Sequence, residues 1–326
     1  MVGGPARPRS MADGVLVIDK PAGPTSFEVV QRVRRLLGEP SAGHTGTLDP
    51  AATGLLAVCV GEALKLQRWL AEGDKAYQAV VAFGAATETE DAEGPVAERG
   101  DPSGLDAARV AAALGGFVGE IEQTPPMYSA VRVKGRRLHE AARRGEEVAR
   151  APRRVRIHAL ELLELEPTRD GLRRARLLVR CGKGTYVRTL AADLGRALGV
   201  PAHLSALRRT ESGPFGIAAA LALAEAEALA AGGGPEALRA RLVPPAEALP
   251  FMPAARLDAA QVADLGHGKA VALAAPEGMV RALDAEGRLV AVCRSDGGLL
   301  KPVRVLRPAG REKAGDPAEK RRPRER

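Results

Sequence analysis

The chain has 326 residues, a formal net charge of +8 and 45% hydrophobic residues. That is the composition of an ordinary globular protein, and it excludes a disordered or membrane-embedded chain, since no apolar run approaches the ~20 residues of a bilayer span. With one Trp, three Tyr and five Phe, it also excludes a recognition surface built on rows of exposed rings.

Residues 1–13 are expected to be a flexible start without the apolar stretch of a secretory signal, and Met11 is a second candidate first residue. Residues 14–19 form an apolar run suited to a buried strand. Thr25 and Glu28 then have capping-box spacing, and Val29, Val30, Val33, Leu36 and Leu37 recur with helical period. Residues 38–50 read as a loop dense in Gly, Pro, Ser and Thr. A strand is predicted at 55–60, a helix at 62–70, a strand at 77–83, an acidic loop at 87–101 and an Ala-rich helix at 105–114. Short strands follow at 130–133, 155–165 and 172–181, with helices near 136–144 and 187–198. Helices and strands without strict alternation predict an α+β fold with a mixed, largely antiparallel sheet. A helix is expected at 218–230, and Ala231-Gly232-Gly233-Gly234-Pro235 is the strongest break signal in the chain. The division is therefore a main domain at 14–230, a linker at 231–241 and a small β-rich module at 242–306. Residues 307–326, with eight basic and four acidic residues, are expected to be disordered.

Charge is unevenly placed. Residues 127–156 carry ten Lys/Arg against three Glu, and residues 171–210 carry nine against one Asp, whereas residues 81–126 carry two against nine acidic. Segmental positive charge is the footprint of a polyanionic partner, although a solvated basic face has the same composition. Cys59, Cys181 and Cys293 are far apart and lack CxxC spacing, which argues against a disulfide framework or thiolate metal site and for a reducing cytoplasm. The five His, at 44, 139, 158, 203 and 267, show no ligand spacing. Gly182-Lys183-Gly184-Thr185 fails the P-loop order, His139-Glu140 lacks the second His of a zincin, and no GxGxxG follows a strand. Neither a metal nor a nucleotide cofactor is implied.

The most informative segment is Gly43-His44-Thr45-Gly46-Thr47-Leu48-Asp49-Pro50-Ala51-Ala52-Thr53-Gly54. Pro50 restricts Asp49 to extended backbone, so a carboxylate can be held on a loop just before a buried strand. Taken alone, Asp49 reads more readily as a turn-forming Asx residue than as a reactive group. The stretch resembles the nucleophile motif of the bacterial TruB family, the tRNA pseudouridine-55 synthases. The resemblance continues in Asp19-Lys20-Pro21, Asp74-Lys75-Ala76-Tyr77, Pro126-Met127-Tyr128-Ser129-Ala130, Lys183-Gly184-Thr185-Tyr186-Val187-Arg188-Thr189 and Ala202-His203-Leu204-Ser205-Ala206-Leu207-Arg208-Arg209, and covers roughly residues 14–215.

The resemblance implies a pseudouridine synthase catalytic domain followed by a PUA-like RNA-binding module. It implies isomerisation of uridine in the T-arm loop of tRNA, without cofactor, by base flipping and an aspartate nucleophile, Asp49. Arg188 would pair with that carboxylate, Tyr77 would stack on the uracil and assist proton removal from C5, and Tyr186 and Leu207 would line the base pocket. His44 would fill the space left by flipped nucleotides, with Lys20 and Tyr128 in support. Outside the family context these are a phosphate-contacting Arg, core residues and a loop His. His139 stands where a Tyr is more usual, and the basic tail exceeds the family pattern. A monomer without obligate protein partner or membrane association is expected. A guide-RNA-dependent synthase of the dyskerin type and a tRNA-folding chaperone with vestigial catalysis are the alternatives.

Overall fold

The structure, a computed structural model, describes residues 12–128, 132–133, 136–137 and 148–306. Residues 130–131 of the strand predicted at 130–133, residues 138–144 of the helix predicted near 136–144, His139, the start of the chain and the tail from residue 307 lie outside the described residues, and the described pair 136–137 is strand, not helix.

In chain order the elements are β1 (Gly14–Lys20), α1 (Ser26–Leu37), β2 (Ala42–His44), β3 (Thr53–Val60), α2 (Gln67–Ala71), β4 (Lys75–Phe83), β5 (Ala85–Thr87), β6 (Val96–Arg99) and α3 (Ala107–Leu114). There follow β7 (Gly119–Gln123), β8 (Arg132–Val133), β9 (Arg136–Arg137), β10 (Arg153–Leu165), β11 (Arg173–Cys181), α4 (Val187–Leu198), β12 (Ala202–Ser212), β13 (Phe215–Gly216), β14 (Leu221–Ala222) and α5 (Leu223–Arg239). The C-terminal module contains β15 (Ala254–Arg256), α6 (Ala259–Gly266), β16 (Val271–Ala272), β17 (Gly278–Leu283), β18 (Leu289–Asp296) and β19 (Leu299–Val305).

The large sheet runs β14-β1-β3-β12-β4-β11-β10-β7, with β2 on β3 and β13 on β12. Only the β1/β14 and β3/β12 pairs in it are parallel among the described residues, so the α+β fold with a largely antiparallel sheet is as expected. The two-residue side-chain period divides its core. Leu56, Val58 and Val60 of β3 join Leu16 and Ile18 of β1 beneath α1 and α5. Leu55, Ala57 and Cys59 face the other way with Val15 and Val17, toward Trp69, Leu249, Leu289 and Val292. Burial on both faces explains why β3 reads as a continuous apolar run. The C-terminal module is thus packed on the main domain while keeping a core of its own around Leu257, Leu265, Val280 and Cys293. Among the described residues, no helix is long and apolar enough to cross a membrane.

Local signals are realised at α1, where Thr25 and Glu28 exchange the capping-box bonds and Gly38, at φ 64, closes the helix. Other elements differ from the sequence reading. The helix predicted at 62–70 splits into a 3₁₀ turn at Gly61–Leu66 and the short α2. The acidic loop includes strand β6, which pairs with β5 just before it to form a hairpin. Strand β12, central between β3 and β4, has no counterpart among the predicted elements. Its second half is polar, and register shifts at Leu204/Ala206 and Arg209/Glu211 break the alternation that would have marked it. The Gly-rich break is a kink at Gly234 (φ 70) within α5. The 231–241 stretch, expected as a linker, carries the second half of that helix, and Leu238 is fully buried in the same core cluster as Val29 and Val33.

Candidate active site

The loop joining β2 to β3 is held at nearly every residue. Ser26 Oγ accepts a bond from Leu48 N (2.8 Å) and donates to Leu48 O (2.9 Å). Arg209, fully buried, donates to Leu55 O (2.7 Å), Thr47 O (3.3 Å) and Gly46 O (3.0 Å). Lys20, also buried, donates to Pro50 O (3.0 Å), Pro24 O (2.8 Å) and Pro21 O (2.9 Å). Gly54 must be glycine, because at φ 99 a Cβ would stand 2.2 Å from Arg209 O. The effect is a rigid hoop with Asp49 at its tip. Since Ser26 satisfies both polar groups of Leu48, Ser26→Ala is expected to cost about 1–3 kcal/mol in denaturant unfolding. A loss below a few tenths of that would show that the hoop does not need this tie.

Arg188, on the first turn of α4, reaches Asp49 from the other side. Its Nε lies 3.0 Å from Asp49 Oδ2, Nη1 donates to Thr89 O (3.1 Å) and Asp91 Oδ2 (3.4 Å), and Nη2 donates to Tyr128 O (2.8 Å). Apart from Asp49, the guanidinium is held by groups from two segments, the 89–91 turn and Tyr128, so its position does not rest on Asp49 alone. Burial pushes the Asp49 carboxyl above the usual carboxylate range. Arg188 and Lys20 pull it down and Asp91 pushes it up, so the ion pair offsets the burial without cancelling it.

A cavity of about 610 Å³ opens over this pair, a size suited to one small ligand. Asp49, Tyr77, Tyr128, Tyr186, Arg188 and Leu207 all line it. Burial, outweighing Arg209, raises the Tyr77 phenol, which keeps its proton near neutrality. Tyr186 is set by Gln123, whose side-chain amide accepts from Tyr186 N (3.0 Å) and donates to Tyr186 O (3.2 Å). Two predicted residues stand outside the lining. Lys20 acts on the hoop from below, and His44 ends β2 with its Nδ1 buried and without a hydrogen-bond partner.

The family model for the N-terminal domain of TruB family pseudouridylate synthases matches residues 34–187. The C-terminal domain model of tRNA pseudouridylate synthase B matches residues 188–249, and that of tRNA pseudouridine synthase II residues 252–307. A tRNA pseudouridine synthase B from Symbiobacterium thermophilum is 53% identical over 264 residues, 81% of this chain and 85% of that protein. One from Thiobacillus denitrificans is 46% identical over 91% of this chain and 97% of its own length. The chain belongs to the TruB family. Among solved structures, a chain of a Cbf5-Nop10-Gar1 complex superposes with a TM-score of 0.70 at 28% identity, covering 93% of this chain and 88% of that one. A chain of an H/ACA RNP bound to a substrate RNA containing 2′-deoxyuridine gives 0.69 at 25% identity, with 95% and 92% covered.

Beyond the residues named from sequence, this TruB-family site depends on Ser26, Thr89, Asp91, Gln123 and Arg209. Arg209 and Thr89 had a signal, lying in a family block and in the acidic loop, but nothing in the sequence told their buried roles from surface charge and turn chemistry. Ser26 and Gln123 act through backbone groups far away in sequence, which spacing cannot reveal.

Proposed function

We propose that this pseudouridylate synthase converts uridine to pseudouridine at position 55, in the T-arm loop of tRNA, with Asp49 as the nucleophile. The observation that carries the reading is the Asp49–Arg188 contact at 3.0 Å in a cavity that also offers a ring, Tyr77, and an apolar wall, Leu207. The isomerisation breaks C1′–N1 and forms C1′–C5, while C5 loses a proton and N1 gains one. No atom is lost and there is no net redox change, so the chemistry calls for a carboxylate and a shaped pocket rather than a cofactor.

The target base is extruded from its stem-loop into the cavity. Tyr77 gives it a ring face, and because burial keeps the phenol protonated, stacking is favoured over a role as base at C5. Tyr186 and Leu207 complete the pocket, with Tyr128 supporting Arg188. His44, at the start of the hoop, fills the space the flipped nucleotides leave. An ionised Asp49 is required whether it attacks C1′ or C6 or assists elimination to a glycal. Exposed basic residues flanking the site, among them Arg153, Arg154, Arg156 and Lys183, supply phosphate contacts that weaken with salt.

The test is to incubate the purified chain with unmodified tRNA transcript and map pseudouridine. Product at position 55, from the bare T-arm stem-loop as well, is expected of a monomer that needs no guide RNA or protein partner. No product from the purified chain would favour the guide-dependent alternative. The raised Asp49 carboxyl predicts an acid limb in turnover above the ordinary aspartate value of 3.8, since activity is lost as pH falls through the folded-state pKa. Asp91→Asn removes the neighbouring negative charge and moves the limb of the remaining activity to lower pH. A limb unmoved by that change would detach it from Asp49.

A further inference from the structure

Glu90 has φ 62, one of two non-glycine residues with positive φ among the described residues. That backbone is unfavourable for Glu and persists only where neighbours hold it. Here Glu90 N donates to Thr87 O (3.2 Å), Glu90 O accepts from Leu204 N (3.0 Å), and Glu90 Oε2 accepts from Thr189 Oγ1 (2.9 Å). The turn brings Thr89 O and Asp91 Oδ2 onto the same Nη1 of Arg188. Three consecutive residues, 89 to 91, therefore grip two consecutive residues of α4, Arg188 and Thr189. The outer two hold the guanidinium itself, and the middle one holds the next side chain along the helix.

We propose that Glu90 is a positioning residue for catalysis, its bond to Thr189 locking the 89–91 turn against the first turn of α4 so that Arg188 stays in line with Asp49. The inference rests on the roles proposed above for Asp49 and Arg188. A staple that merely secures the β5/β6 hairpin has a different signature. It stabilises the hairpin without changing turnover by the folded enzyme.

Steady-state kinetics on tRNA transcript, with thermal melts, distinguish the two for Glu90→Ala, Glu90→Gln, Thr189→Val and the Glu90→Ala/Thr189→Val double variant, with Asp49→Asn as control. Glu90→Ala and Thr189→Val are expected to lower kcat about tenfold, the scale of one hydrogen bond lost to a charged group, with KM within about twofold. The double variant should lose no more than either single, because both remove the same tie. Glu90→Gln should restore most of kcat, since its amide oxygen still accepts from Thr189. Thr189→Val and Glu90→Gln keep the test open if Glu90→Ala does not fold. The inference is overturned if kcat is unchanged in both single variants while Asp49→Asn is inactive, if the loss lies in KM, or if Glu90→Gln fails to restore turnover. Full turnover by Asp49→Asn would instead mark the failure of the nucleophile assignment, and this inference would fall with it.

Discussion

Asp49→Asn is expected to abolish pseudouridine formation, by about four orders of magnitude in turnover or more, while tRNA affinity stays within a few-fold of the parent. Asparagine has the shape of aspartate and can still accept from Arg188 Nε, but its neutral amide is not a nucleophile and cannot stabilise developing positive charge at the sugar. The fold should survive, because Arg188 keeps Thr89 O, Asp91 and Tyr128 O, and the hoop keeps its ties to Ser26, Lys20 and Arg209. Affinity should survive because phosphate contacts come from exposed basic residues around the cavity, not from its floor. Pseudouridine mapping and filter binding on one preparation check both halves. Near-normal turnover would remove Asp49 from the chemistry, and lost binding with it would make the residue a substrate contact.

Much of this is legible in the sequence. The capping box of α1, the buried runs of β1 and β3 and the helix at α4 were readable because each is specified locally, by caps, period or continuous apolarity. The pairing of Asp49 with Arg188 came from family resemblance, and the structure brings the two into contact. What was not legible depends on contacts distant in sequence. β12 was hidden by its bulges and arginines, because charged residues in a strand read as surface until it is known that Arg209 spends its donors on Leu55, Thr47 and Gly46. The Gly-rich segment at 231–235 read as an exit from the domain, because local chemistry specifies a break but not what packs on either side of it. Asp91 lies in a stretch that reads from sequence only as an acidic loop. Only the tertiary turn shows that one carboxylate there faces an arginine.

Arg188→Lys is expected to lower turnover by about 10²–10³-fold and to leave tRNA affinity nearly unchanged, a loss of the size seen when one preorganised hydrogen-bond donor is removed from an active site. The guanidinium serves four acceptors in four directions, Asp49 Oδ2, Asp91 Oδ2, Thr89 O and Tyr128 O. An ammonium has a shorter reach and three donors from a single point, so at least one buried acceptor is left unpaired and the carboxylate of Asp49 is no longer held in one orientation. A buried lysine is also prone to lose its proton, which would let the Asp49 carboxyl rise further and shift the acid limb upward. Upward movement of that limb, measured beside the fall in kcat, separates a lost partner of Asp49 from general damage to the pocket. A phosphate-contacting arginine would show the opposite pattern, with affinity and salt dependence changed and turnover at saturation intact. With only 7% of its side chain exposed, Arg188 has no surface to offer a phosphate, so the effect should fall on kcat.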